Sequence, residues 1–205
     1  MSATGRGRDV EENEFYPTPR ECVYALMESP LVELPPGRWL EPCAGTGRII
    51  SAVNEIRSDI QWDICEIQEV FKPHLEAEMG PMDNLMPFGD FVHRKWNEPK
   101  AKVSIMNPPF SLTMQFVQAC LERADWVVCL QRQAWFGSVG RSDWLAKHCP
   151  DSHQLSWRPS FRPDGKTDNC DYTWYVWPPG SDVERTSGVL SMLKKPLGKQ
   201  TELFA

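Results

Sequence analysis

No stretch of this chain approaches the roughly 18 consecutive apolar residues that a membrane helix needs. Its opening segment, residues 1–14, lacks the apolar centre of a secretory signal. No membrane span and no export are expected, and the chain reads as cytoplasmic. Paired cysteines are missing too. The seven cysteines are scattered with no CxxC pair and no Cys/His spacing suited to zinc. No metal site and no disulfide is expected. Cys65, Cys120 and Cys129 sit in apolar stretches, where a free thiol acts as a small hydrophobe. Internal repeats are absent. Positive charge is also short: the net charge is −6, opposite to what phosphate contacts favour.

What is present fits one soluble domain of 205 residues, 41% hydrophobic and 24% charged. The charge is uneven. Residues 1–130 carry 12 Lys/Arg and 20 Asp/Glu, a balance of −8, whereas residues 131–205 carry 10 and 8, a balance of +2. Residues 1–14 read as a disordered tail, 15–180 as the folded domain and 181–205 as a partly ordered extension.

Thr18 reads as a helix N-cap, with Pro19 at the first helical position and Glu21 three residues on. That helix runs to about residue 27. Strands are expected over 38–41, 61–66, 88–93, 102–106 and 126–130, and helices over 48–57, 69–78 and 113–123. The last third reads as irregular loop, then strands near 153–157 and 172–177. Of the nine tryptophans, Trp126, Trp174 and Trp177 belong to strands and the core, while Trp135 and Trp144 are expected at the surface. The alternation predicts a single doubly wound α/β fold: a mostly parallel sheet, helices on both faces, and a C-terminal antiparallel hairpin.

Leu40-Glu41-Pro42-Cys43-Ala44-Gly45-Thr46-Gly47 lies between a strand and a helix. Glycines there let backbone approach a ligand, and the next helix start offers free N–H groups. Glu66 follows about twenty residues on, where a doubly wound fold puts the carboxylate that takes ribose hydroxyls. Nicotinamide dinucleotide folds share this geometry. Ile50, however, stands where the third glycine of GxGxxG belongs, and Glu41-Pro42 suits a ligand with a cationic amino acid moiety. S-adenosyl-L-methionine is therefore expected over a dinucleotide, with a glycine turn that binds nothing as the plain alternative.

Asn107-Pro108-Pro109-Phe110 after the strand 102–106 carries the sharpest chemistry. An exocyclic amine on an aromatic ring is a poor nucleophile because its lone pair is delocalised. Two acceptors, the Asn107 side-chain oxygen and the Pro108 carbonyl, can hold both amine hydrogens and stabilise the positive charge that develops as a methyl group arrives. The prolines stiffen the turn, and Phe110 offers a flat face to a flipped base. Read blandly, a Pro-Pro turn is only loop punctuation.

At these residues the chain resembles the class I S-adenosylmethionine-dependent methyltransferases, and within them the N6-adenine DNA methyltransferases. The resemblance spans residues 15–177. Residues 15–19 are similar to that family's N-terminal cofactor motif, 40–47 to its glycine motif, and 107–110 to its (Asp/Asn)-Pro-Pro-aromatic catalytic motif. The strand with Asp171, Tyr172, Trp174 and Trp177 resembles small phage and prophage members. The resemblance implies a seven-stranded sheet with the last strand antiparallel. It places Tyr16, Thr18 and Pro19 at the methionine end of the cofactor, and Glu41, Pro42, Cys43 and Gly45 along the central cleft. It puts Glu66 on the ribose, Ile67 on the adenine ring, and Asp90 on the adenine amine with Phe91 beside it. Asn107 would touch cofactor and acceptor alike. Asp90 also reads as an ordinary turn residue, and Phe15 and Tyr16 as plain core aromatics.

One departure from that family stands out. Too few residues separate Asp90 from Asn107, or follow Trp177, to form a target-recognition domain. The spare material is the stretch after Gln131 and the loop 158–171, where cations mix with Trp135, Phe136, Trp157 and Phe161. Arg132, Arg158, Arg162 and Lys166 are expected to meet phosphates at the substrate entrance, with preference limited to a few bases. The expected substrate is adenine N6 in DNA. The open alternatives are the same chemistry on RNA or a protein glutamine, and a catalytically silent module of the same fold.

Overall fold

Strand and helix alternate as the apolar periodicity demands. In the computed structural model, residues 16–161, 166–167 and 169–196 are described. The tail 1–14, expected to be disordered, lies outside them, as do Phe15 and Arg162. The elements run α1 (Arg20–Met27), β1 (Gly37–Glu41), α2 (Arg48–Asn54), β2 (Ile60–Ile64), α3 (Lys72–Glu78), β3 (Asn84–Leu85), β4 (Ala101–Met106) and α4 (Thr113–Arg123). Then come β5 (Ala124–Arg132), α5 (Val139–Lys147), β6 (Asp151–Leu155), β7 (Tyr172–Trp177) and β8 (Leu190–Leu193). The sheet order is β3-β2-β1-β4-β5-β7-β6-β8. Strands β1 to β5 pair in parallel, β7 lies antiparallel between β5 and β6, and β8 is parallel to β6.

Both faces of the sheet are buried, so its central strands are apolar on alternate sides. Trp39, Val128, Leu130, Trp174 and Val176 face one core, where α1, α2 and Leu75 of α3 pack. Leu40, Cys129, Tyr175 and Trp177 face the other, with Phe116, Val117 and Cys120 of α4 and Leu145 of α5. Trp174 is fully buried and donates its indole N–H to the Cys22 carbonyl (2.9 Å), tying β7 to α1. Cys65, Cys120 and Cys129 are buried as expected.

The doubly wound sheet and the β6–β7 hairpin are as expected, with five corrections. The sheet has eight strands, not seven. The added strand is β8, drawn in because Asp151 Oδ1 accepts from the Val189 N–H (2.6 Å) and from Arg185 Nη2 (2.7 Å). No strand forms over 88–93. There Gly89 takes a left-handed φ of 146°, and Asp90 Oδ1 captures the N–H groups of Val92 (2.8 Å) and His93 (3.3 Å), which a strand would need for its ladder. Thr18 does not cap α1: Pro19 is the N-cap, without a side-chain bond, because the Thr18 hydroxyl is used elsewhere. Finally, α5 buries only Leu145, too thin an apolar stripe to show in sequence. Trp135, expected at the surface, is buried against Tyr175 and Trp177 at 5.5 and 6.3 Å.

The approach to β8 depends on Gly188. A Cβ there would lie 2.0 Å from the Pro150 carbonyl oxygen, a backbone atom with no rotamer to yield. Gly188→Ala should therefore push β8 off β6 and cost about 1–3 kcal/mol. The reading is the shift in the chemical-denaturation midpoint, and an unchanged midpoint would disprove the close approach.

Candidate active site at the ends of the parallel strands

β1 pairs with β2 on one side and β4 on the other, so the crossovers leave it in opposite directions. The crevice at the carboxyl ends of β1 and β4 is where such sheets receive ligands. A cleft of about 200 Å³ opens there. Tyr16, Thr18, Glu41, Pro42, Cys43, Gly45, Glu66, Ile67, Asp90, Phe91, Asn107 and Pro109 all line it, from segments far apart in sequence.

The glycine loop is shaped by its own backbone. Gly45 and Gly47 take left-handed φ values of 53° and 73°, conformations that cost a side-chain-bearing residue energy. The loop is pinned to Glu66, which is 5% exposed. Gly45 N–H donates to its Oε2 (2.6 Å), while Ile67 and Gln68 N–H donate to Oε1 (2.9 and 2.8 Å). A carboxylate has about four acceptor sites, so these three bonds orient it and leave capacity for a ligand hydroxyl. Ile67 stands beside it, 53% exposed.

Glu41 ends β1 and is 2% exposed. Burial pushes its carboxyl well above the usual carboxylate range, and the nearby Glu66 charge adds to that. The Ile50 N–H at the start of α2 opposes the shift. That donor was expected to face the ligand, and it serves Glu41 instead. Oε2 of Glu41 has no partner among the described residues. Cys43, beside these two carboxylates, has its thiol pushed well above the usual thiol range, first by burial and then by the Glu41 and Glu66 charges.

Asn107 follows β4. Its Nδ2 donates to the Tyr16 carbonyl (3.0 Å) and to Thr18 Oγ1 (3.1 Å). A carbonyl only accepts, so the amide nitrogen must face Tyr16, and Oδ1 must face the other way. That oxygen is buried and unpartnered among the described residues. Thr113 braces the turn, its hydroxyl reaching the carbonyls of Phe110 (3.2 Å) and Pro109 (3.4 Å) and receiving Gln131 Nε2.

The remaining expected residues divide. Pro19 does not line the cleft, because α1 starts at Arg20 and the proline belongs to its cap. Pro108 is buried and Phe110 is half-buried against the core, and neither lines the cleft itself. Phe110 stacks on Tyr16 (5.3 Å, 16°), tilts against Tyr172 (6.3 Å) and lies 4.4 Å from the Arg132 guanidinium. Asp90 faces the cleft, but its Oδ2 holds His93 Nδ1 (2.7 Å), and His93 keeps its carboxyl below the usual range. Arg158 pairs with Asp171 (2.8 Å), whose carbonyl receives the N–H of Gln133. Arg132 and Arg158 thus converge on the start of β7. Ser160 donates to the Lys166 carbonyl (2.9 Å), drawing Lys166 back along its loop. Phe116, Arg48 and Gln68 also line the cleft. Nothing in their sequence context marked them.

No protein-family model and no curated protein sequence matches the chain. Solved structures do. The chain is similar to a protein of Listeria monocytogenes described as a candidate class I S-adenosylmethionine-dependent methyltransferase. That match has 12% identity and a TM-score of 0.63, and covers 92% of this chain and 68% of that one. It is also similar to a candidate RNA methyltransferase of Pyrococcus horikoshii, with 16% identity, a TM-score of 0.58, and 81% and 88% covered. A third match is a dimethyladenosine transferase of Plasmodium falciparum, with 13% identity, a TM-score of 0.56, and 81% and 63% covered. At these identities the likeness is one of backbone, and on that ground the chain has the fold of the class I S-adenosylmethionine-dependent methyltransferases.

Proposed function

We propose that the protein transfers a methyl group from S-adenosyl-L-methionine to the exocyclic N6 amine of adenine in nucleic acid, with DNA as the polymer. The observation that carries this reading is the Asn107 side-chain oxygen, buried, unpartnered and held in that orientation by the Tyr16 carbonyl. A buried acceptor without a donor is costly, and an incoming NH₂ supplies the donor.

The residues present fit the cofactor. The orphan Oε2 of Glu41 suits the amino acid ammonium, the spare acceptor capacity of Glu66 suits a ribose hydroxyl, and exposed Ile67 suits a flat base. Bound there, S-adenosylmethionine supplies an electrophilic methyl on a sulfonium. Asn107 Oδ1 accepts one amine hydrogen of the acceptor and stabilises the charge that grows on nitrogen. The Pro108 carbonyl, expected to take the second, does not line the cleft and is assigned no part in it. Phe110, outside the cleft beside Tyr172 and Arg132, gives the acceptor ring a stacking surface next to a cation. RNA is the second reading, favoured by the RNA and dimethyladenosine enzymes among the similar folds.

Asn107→Ala should lower methyl transfer about 10²–10³-fold, the scale of one lost transition-state donor or acceptor. Mass spectrometry of nucleosides from DNA and RNA pools, incubated with enzyme and cofactor, reads both the loss and the polymer. N6-methyladenine formed equally by wild type and variant would sink the mechanism.

Glu41→Gln should have opposite effects on binding and stability. A carboxyl whose folded pKa is raised binds a proton more readily folded than unfolded. Its stabilising contribution is full below the ordinary carboxylate pKa and is lost as pH rises through the raised one. Glutamine removes that loss, so the unliganded variant should melt higher than wild type at pH 8 and alike at low pH. Cofactor affinity should meanwhile fall about tenfold or more, as expected for a lost charged hydrogen bond. Calorimetry and thermal denaturation decide it. Lower stability at pH 8 with intact affinity contradicts the assignment.

A further inference from the structure

A second polar anchor, remote from the catalytic turn, grips another wall of the same cleft. Arg123 closes the last turn of α4 and is 7% exposed. Its Nη1 donates to the Phe91 carbonyl (2.7 Å), and its Nη2 to those of Arg94 (3.1 Å) and Val92 (3.4 Å). The guanidinium lies 4.5 Å from the Phe91 ring and 5.3 Å from that of Trp96. No carboxylate among the described residues pairs with it. A buried cation served only by carbonyls and rings is expensive to keep.

The segment it grips has little else to hold its shape. Residues 89–96 form no helix or strand. Their backbone is tied by Gly89 N–H to Glu66 O (3.0 Å), by Arg94 N–H to Phe91 O (3.3 Å), and by the Asp90 carboxylate. A guanidinium presents several donors in a rigid fork and stacks on rings, which a lysine ammonium does not. Three carbonyls of one irregular turn suit that fork. Phe91 is gripped on its ring as well, by Arg123 and by Phe116, stacked at 5.7 Å and 17°. Phe91 and Phe116 both line the cleft, with Gly89 and Asp90 beside them.

We propose that Arg123 is a positioning residue for the cofactor: from behind the cleft it fixes the backbone and ring of residues 91–94, and so shapes the wall that receives the adenine end of S-adenosylmethionine. This rests on the proposed function, and it assigns the wall to a residue that never touches the ligand.

The test uses the full chain with Arg123→Met and Arg123→Lys beside wild type. Calorimetry measures S-adenosylhomocysteine and, separately, methylthioadenosine, which keeps the adenosine but lacks the amino acid. Arg123→Met should weaken both ligands about tenfold, the scale on which one charged hydrogen bond acts. Arg123→Lys should recover part of the loss, which should fall on the cofactor KM rather than on kcat. Amide hydrogen exchange should speed up over residues 89–96 in both variants. A folded Arg123→Met that binds both ligands as wild type does, or that loses only S-adenosylhomocysteine, overturns the proposal. Should Arg123→Met fail to fold, Arg123→Lys carries the same comparison. A wild-type chain that binds neither ligand refutes the proposed function instead, and exchange over 89–96 in the unliganded variants still reads whether Arg123 builds the wall.

Discussion

Parallel pairing of β1 with two neighbours on opposite sides governs what lies above the sheet. Because the chain leaves β1 toward β2 on one flank and returns along β4 on the other, a crevice opens at the carboxyl ends of those strands. Glu41 ends β1, and Glu66 and Asn107 lie within two residues of the ends of β2 and β4, so they converge without being neighbours in sequence. The apolar cores on both faces make the sheet rigid, and that rigidity holds three polar groups in place at its rim.

Those groups are buried at a cost that the free protein does not fully offset. Glu41 keeps an unpartnered oxygen, and so does Asn107. In each case a backbone group settles the geometry: the Ile50 N–H faces Glu41, and the Tyr16 carbonyl faces Asn107. These two oxygens belong to residues that line the same cleft, so one ligand could pair both. Glu66 is the contrast, a carboxylate with both oxygens partnered by backbone donors, held in orientation with acceptor capacity to spare.

Two short motifs made most of the site legible. Residues 40–47 and 107–110 have a chemistry that local sequence alone encodes, since left-handed glycines and stiff prolines need no tertiary partner to declare themselves. The doubly wound order followed from periodicity. What was hidden depended on partners far along the chain. Asp90 took the N–H groups that a strand over 88–93 needed, Asn107 claimed the hydroxyl that made Thr18 look like a cap, and β8 formed through Asp151. Arg123 resembled any basic residue in a helix's last turn. Only its burial beneath residues 91–96 distinguishes it, and burial of a single cation leaves no periodic trace.

Cys43 has a consequence for the compatibility of this cleft with an alkylating molecule. A thiolate is a far better nucleophile than a thiol, and a sulfonium donor seated against one would risk spending itself on the protein. Burial and two adjacent carboxylates keep the Cys43 sulfur protonated. Deeper in the core, Cys65 and Cys120 are pushed up to about 12. Burial above all, helped at Cys43 by two carboxylates, thus passivates these sulfurs, and a methyl donor seated in the cleft would meet an inert wall.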